Sequence, residues 1–236
     1  DYTECGGLAN LSDFFDEAKA KEYRDAAVEE LTAAGATFPI KVQYPYNPAV
    51  VDWDKQCQVF KQQLEGVLND GFDFIDIIIT AGPSDSFLSS VRRNGKFAFL
   101  QCNWGADYAD PETWTDPFST DSSYSFIFKS TDPETQALYA EYTELVAAAK
   151  AITDDMDARY TAFAKAEAFL LDHAFAIPFS ISNRSYQMCN LNVFEGQYAS
   201  FGVANQRYKD QHLYSTSMGL EEYQAAYAEW QSKVAG

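Results

Sequence analysis

Phe74-Ile75-Asp76-Ile77-Ile78-Ile79-Thr80 is the stretch that decides the fold class. It is short, nearly all apolar and rich in β-branched side chains, which pack well on a pleated surface. A strand with one solvated face alternates apolar and polar residues, whereas this run is apolar on both faces. The pattern predicts a strand over 74–80, buried in a sheet that helices cover. Asn69-Asp70-Gly71, just before it, turns the chain out of the preceding element.

That element is a helix expected over 50–68, because Trp53, Cys57, Phe60, Leu64 and Val67 form one stripe at helical spacing. Further upstream, 40–46 reads as a strand ended by Pro45 and the Asn47-Pro48 turn signal. Ala20, Tyr23, Ala27, Leu31 and Ala34 give a helix over 16–34, with Gly35 as its stop. Downstream, Ser84 can cap a short helix through Arg92. Asn94-Gly95 then turns into a second buried strand at 96–102. After a polar loop at 103–117, helices are expected over 133–150 and 154–173. In the second of these Tyr160, Phe163, Ala164, Glu167, Leu170 and Leu171 lie largely on one side. Residues 174–181 read as a last strand. Strands and helices mixed in this way imply an α/β fold, a mixed sheet flanked by helices. From residue 190 the texture changes. Residues 190–219 are rich in Asn, Gln, Tyr and Gly without a period, and 221–234 returns to helix with Tyr223, Tyr227 and Trp230 on one face. This tail reads as a segment that packs on something else.

Bulk properties narrow the function. A chain of 236 residues with 47% hydrophobic and 22% charged residues can bury a core, which argues against disorder. The formal charge of −18 argues against nucleic acid, since phosphate binding needs clustered Lys and Arg. No run approaches the roughly 20 apolar residues that span a bilayer. The chain opens at Asp1 without an initiator Met, as expected of a mature form or an excised fragment. Cys5, Cys57, Cys102 and Cys189 are too far apart for a zinc or redox motif. Cys57 and Cys102 fall on predicted buried faces, which favours packed free thiols over the alternative, a disulfide between distant elements that spacing alone does not decide.

The stretch richest in chemistry is Asn103-Trp104-Gly105-Ala106-Asp107-Tyr108-Ala109-Asp110-Pro111. It follows a predicted strand, and ligand sites of open α/β sheets gather at strand carboxyl ends. Trp104 and Tyr108 offer flat apolar surfaces, with the Asp107 charge between them. A carboxylate in a partly dry groove suits a primary ammonium, through charge-assisted bonds worth about 1.5–3 kcal/mol each. The alternative is a turn in which Asp107 or Asp110 caps a short helix near Thr113. Composition leaves Asp107 open between the two roles and favours the cap for Asp110.

Three stretches together resemble the extracellular solute-binding proteins (family 5) that feed oligopeptide and dipeptide ABC transporters. Asp16-Glu17-Ala18-Lys19-Ala20 through Ala33-Ala34-Gly35 is similar to the helix that begins that family's carboxy-terminal lobe. Trp104-Gly105-Ala106-Asp107-Tyr108-Ala109-Asp110-Pro111 is similar to its W-x-A-D-Y-x-D-P segment. Arg159-Tyr160 through Ala166-Glu167-Ala168-Phe169-Leu170-Leu171, and on to Ile177-Pro178-Phe179, resembles its long helix and the I-P strand after it. The resemblance implies one lobe of a type II periplasmic-binding-protein clamshell that closes on an extended peptide. It implies that Asp107 pairs with the ligand's free amino terminus, that Trp104 and Tyr108 wall the pocket, and that Asn103 contributes. On this view 1–13 is an inter-lobe linker remnant and 14–189 the carboxy-terminal ligand-binding lobe. Residues 190–236 are then a crossover segment and terminal helix that pack on an amino-terminal lobe absent from this chain. The implied partners are an oligopeptide and ABC permease subunits, with no cofactor or metal. The implied location is the extracellular face of the membrane, by an anchor, or the periplasm.

Other readings make different demands. An oligosaccharide or a metal complex could occupy the same scaffold. A glycosidase needs two carboxylates facing across a cleft, and Asp107 and Asp110 in one loop make a poor pair. His173 and His212 are isolated, and no nucleophile elbow, phosphate loop or zinc motif is present. An interaction module would use Tyr223, Tyr227 and Trp230 for a partner, where packing on their own domain is the simpler expectation. Asn10 and Asn183 stand in glycosylation-type triplets, and Arg184 is expected at the solvated surface.

Overall fold

The computed structural model describes residues 15–119, 124, 129–180, 190–195 and 208–234. The described residues divide into two compact units. The first holds those up to Asn103 and those from Thr115 to Ala176. The second holds Trp104–Trp114 and those from Ile177 onward.

The first unit opens with α1 (Glu17–Ala33), whose N-cap Asp16 accepts the Lys19 N–H at 2.8 Å. At its other end Gly35 sits at φ 81°, and the Ala36 N–H reaches back to the Leu31 carbonyl, a Schellman stop. Strand β1 (Ile40–Tyr46), helix α2 (Trp53–Leu68) and strand β2 (Ile75–Ala81) follow. The two strands pair in parallel, Ile40 opposite Ile75 through Tyr46 opposite Ala81, so α2 is a βαβ crossover. Tyr44, Trp53, Cys57, Ile75, Ile77, Phe87 and Val91 form one buried cluster, in which the predicted stripe of α2 meets the isoleucine run. Gly82 admits Phe87: a Cβ there would stand 2.7 Å from the ring. Arg24 of α1 donates to the Leu68 and Asp70 carbonyls at the end of α2.

Side chains finish the edges of this small sheet. The N–H of Ile77 donates to Glu65 Oε1 at 2.7 Å and its carbonyl accepts from Lys61 Nζ at 2.6 Å. The outer edge of β2 is therefore occupied by α2 and closed to a further strand at that point.

Two expected strands do not form. At 96–102 the consecutive N–H groups of Ala98 and Phe99 both donate to the Gln43 carbonyl, each at 3.0 Å. A ladder sends successive N–H groups to opposite sides, so this segment is a bend against β1 rather than a strand. Phe97, Phe99 and Leu100 still pack on the core, so the apolar signal was correct about burial and misleading about pairing. The other case is 174–181, described to residue 180, which also forms no strand. Its first residues terminate a helix instead. Ala174 takes φ 52°, and the Phe175 and Ala174 N–H groups return to the Leu170 and Leu171 carbonyls. The short helix expected through Arg92 is a π-helical turn, Leu88–Arg92.

The rest of the first unit is an antiparallel-type helix pair, α4 (Pro133–Ala151) and α5 (Met156–Asp172), preceded in the chain by the four-residue α3 (Glu112–Thr115). Asp132 and Asp155 cap α4 and α5 through the Thr135 and Ala158 N–H groups. Tyr139, Tyr142, Val146, Ala149, Phe163, Ala166 and Leu170 make their common core. Arg159 is buried at the turn, donating to the Ala149, Lys150 and Ile152 carbonyls with its guanidinium 4.8 Å from the Phe163 ring centre. A cation on the free carbonyls of a helix end also complements the helix dipole.

In the second unit, Leu191 and Leu213 form an isolated antiparallel bridge, and α6 (Leu220–Val234) follows. Phe194 packs on Tyr223, Tyr227 and Trp230 of α6, with ring centres 5.1, 5.4 and 6.0 Å away. The predicted aromatic face of this helix thus finds a partner within its own unit. Cys5, Cys189, Asn10, Asn183 and Arg184 lie outside the described residues.

Candidate functional site

The loop at 104–114 is held by one buried residue. Thr113 is 3% exposed, its carbonyl accepts the Trp104 indole N–H at 2.6 Å, and its hydroxyl accepts the Asp107 backbone N–H at 2.9 Å. Asp110 Oδ1 accepts the Glu112 N–H at 2.9 Å and its carbonyl accepts the Thr113 N–H, so Asp110 starts the turn of α3. That is the capping role its composition favoured. Asp107 takes no such role. It is exposed, and among the described residues its carboxylate has no hydrogen-bond or ion-pair partner. Trp104 is half-buried and Tyr108 is 48% exposed. These three residues belong to the second unit, along with Trp114, an exposed indole that sequence reasoning did not single out.

Asn103 is the last residue of the first unit at this point in the chain. Its side chain is exposed, and its carbonyl accepts the Tyr124 hydroxyl at 2.8 Å. Arg92 Nη1 donates to the same hydroxyl at 3.2 Å and Phe118 stacks on the Tyr124 ring. Burial pushes the Tyr124 phenol up, against the pull of Arg92. Neither Thr113 nor Tyr124 was legible as a support. A lone Thr in a polar loop carries no pattern, and Tyr124 lies far along the chain from the residue it holds.

Among the described residues, groups for other chemistries are not assembled. Burial pushes both described thiols, Cys57 and Cys102, upward, which keeps them protonated and poor nucleophiles. Both are free. His173 packs between Phe169 and Phe175, while His212 belongs to the other unit, where Glu195 accepts its backbone N–H. Among the described residues no group of three or more His, Cys, Asp or Glu could hold a metal, and no helix is long and apolar enough to cross a membrane.

Known proteins were compared with this chain. No family model matches it. The oligopeptide-binding protein AmiA of Streptococcus pneumoniae is 30% identical over 240 aligned residues, covering 94% of this chain and 36% of AmiA. Over nearly its whole length the chain is similar to part of an oligopeptide-binding protein. Two more such proteins agree: AliA of the same species is 29% identical over 240 residues, and SarA of Streptococcus gordonii 26% over 235, each matched over 94% of this chain. The chain spans about a third of the length of these oligopeptide-binding proteins, 36% of AliA and 35% of SarA.

Solved structures give the same fold. The substrate-binding domain of an oligopeptide ABC transporter from Bacillus anthracis superposes with a TM-score of 0.56 at 22% identity, over 73% of this chain and 30% of that one. A peptide-binding protein of a peptide ABC transporter superposes with a TM-score of 0.50 at 27% identity, over 66% of this chain and 62% of that one. The architecture is therefore α/β, of the kind found in one lobe of the oligopeptide-binding proteins. All of these relatives are binding proteins by name.

Proposed function

We propose that the chain is a ligand-binding lobe of the extracellular substrate-binding component of a peptide ABC importer, in which Asp107 pairs with the free amino terminus of an oligopeptide. One observation carries this reading. The Asp107 backbone is fixed by Thr113 while its carboxylate stands exposed and without a partner among the described residues. A fixed, uncommitted carboxylate is what a primary ammonium requires, and a charge-assisted bond there adds about 1.5–3 kcal/mol. Trp104 and Tyr108 supply flanking apolar surface and Asn103 a polar contact. The peptide backbone is held by strand-like hydrogen bonds, and its side chains lie in hydrated pockets. The homology to named oligopeptide-binding proteins supports peptide as the ligand class.

The remaining two-thirds of such a protein supplies the opposing lobe. On this reading 1–13 is the linker from it, 14–189 the ligand-binding lobe, and 190–236 the segment that returns to it. Capture occurs by lobe closure, and release delivers the peptide to ABC permease subunits with no bond made or broken. The protein is then not an enzyme and works at the extracellular face of the membrane, by an anchor, or in the periplasm.

The test is calorimetric binding of a mixed short-peptide pool to the full-length protein, with free and with N-acetylated amino termini. Binding lost on acetylation and in Asp107→Ala is the expected result. Equal binding of both pools would remove Asp107 from the role and keep peptide as ligand. No binding of either pool would move the ligand to an oligosaccharide or metal complex.

A further inference from the structure

We infer that Thr113 is a positioning residue for the ligand site, holding Trp104 and Asp107 in one fixed arrangement through its carbonyl and its hydroxyl; this rests on the peptide-receptor reading of the same loop. Thr113 is buried, lies within the same unit as both residues, and bonds each through a different atom. The two bonds act on different things. The carbonyl holds the indole ring of Trp104, a flat wall. The hydroxyl holds the peptide N–H of Asp107, and so the direction in which that residue's Cα–Cβ bond leaves the loop. The Thr113 N–H in turn donates to the Asp110 carbonyl at 3.2 Å, which ties the support to the turn that Asp110 begins.

The residue type follows from this geometry. The position must supply a hydroxyl acceptor and fill buried space, and a short β-branched side chain with few rotamers does both. Valine has the same shape and no acceptor, so it leaves the Asp107 N–H without its bond. A loop held in its binding geometry before the ligand arrives loses less freedom on binding, which favours affinity without any contact from Thr113 to ligand.

The experiment compares Thr113→Val, Thr113→Ser and wild type in the full-length protein, using penta-alanine with a free amino terminus and its N-acetylated form. Thr113→Val is expected to bind the free peptide roughly tenfold more weakly and to discriminate less between the two forms. Thr113→Ser restores the acceptor and is expected to recover both. A general loss of stability lowers the fraction folded but leaves the free-to-acetylated ratio intact, so that ratio isolates the positioning role. Thr113→Ala is the parallel variant if the valine protein does not fold. Unchanged affinity and ratio in Thr113→Val, with wild type binding normally, overturns the inference. If wild type binds neither peptide, the receptor reading fails and the ligand-site role falls with it, and hydrogen exchange at the Asp107 amide then tests whether Thr113 fixes the loop. Faster exchange in Thr113→Val but not in Thr113→Ser shows that it does, and equal exchange in all three that it does not.

Discussion

The Asn69 side-chain amide pairs with the backbone of Ile75 as a neighbouring strand would. Its Oδ1 accepts the Ile75 N–H at 2.9 Å and its Nδ2 donates to the Ile75 carbonyl at 2.9 Å. Oδ1 also accepts the Phe74 N–H at 3.1 Å. One residue at the end of α2 thereby fixes where β2 begins and satisfies the edge that β1 does not reach.

Asn69→Ala should therefore cost more than a surface change. Three part-buried backbone groups lose their partner, for an expected destabilisation of about 2–4 kcal/mol. Asn69→Asp keeps the acceptor and loses the donor, so it should fall between. Urea denaturation of both variants checks the order. A loss in Asn69→Ala no larger than about 0.5 kcal/mol, the scale of ordinary surface substitutions, would show that water replaces these bonds freely.

Ala174 offers a change of opposite sign. It stands at φ 52° in the Schellman stop of α5, a conformation that a Cβ disfavours by roughly 1 kcal/mol. Ala174→Gly removes that cost and should raise stability by about 0.5–1 kcal/mol, with the gain somewhat reduced by the greater freedom of glycine in the unfolded chain. Thermal unfolding measures it, and a lower midpoint in the glycine variant would contradict the strain argument.

The same two helix ends show what the sequence made legible. At Gly35 the left-handed stop of α1 was visible, because glycine announces the conformation. At Ala174 an equivalent stop carried no such residue, and the apolar run after it read as a strand. Strand β1 was anticipated at its observed bounds, and β2 to within one residue, because the crossover α2 between them had clear stripes and clear turns. Residues 96–102 failed for a different reason. Hydrophobic patterning reports burial, and burial there comes from Phe97, Phe99 and Leu100 lying on the core while two adjacent N–H groups share one carbonyl. In the candidate loop, the aromatic and acidic residues were legible from their own chemistry. Thr113 was not, since what matters there is which atoms its backbone and hydroxyl meet.

The buried phenols make the fold sensitive to alkali. Tyr44, Tyr139 and Tyr142 are almost wholly inaccessible, and burial pushes all three well above the ordinary tyrosine value of about 10. A group whose folded value is raised contributes its full stability below the unfolded value and loses it as pH rises toward the folded one. Above about pH 10 the unfolded chain therefore releases protons that the folded chain retains, and each such phenol lowers stability by about 1.4 kcal/mol per pH unit. Together the three give a limiting slope of about 4 kcal/mol per pH unit. Tyrosinate absorbance from these residues should rise together with loss of the folded circular dichroism rather than before it. Tyr142 donates its hydroxyl to the Thr115 carbonyl at 2.6 Å, so Tyr142→Phe should cost about 1 kcal/mol at neutral pH. It also removes one of the three linked protons, so the alkaline slope should fall by about a third. A slope identical to wild type would mean that the Tyr142 phenol ionises within the folded protein.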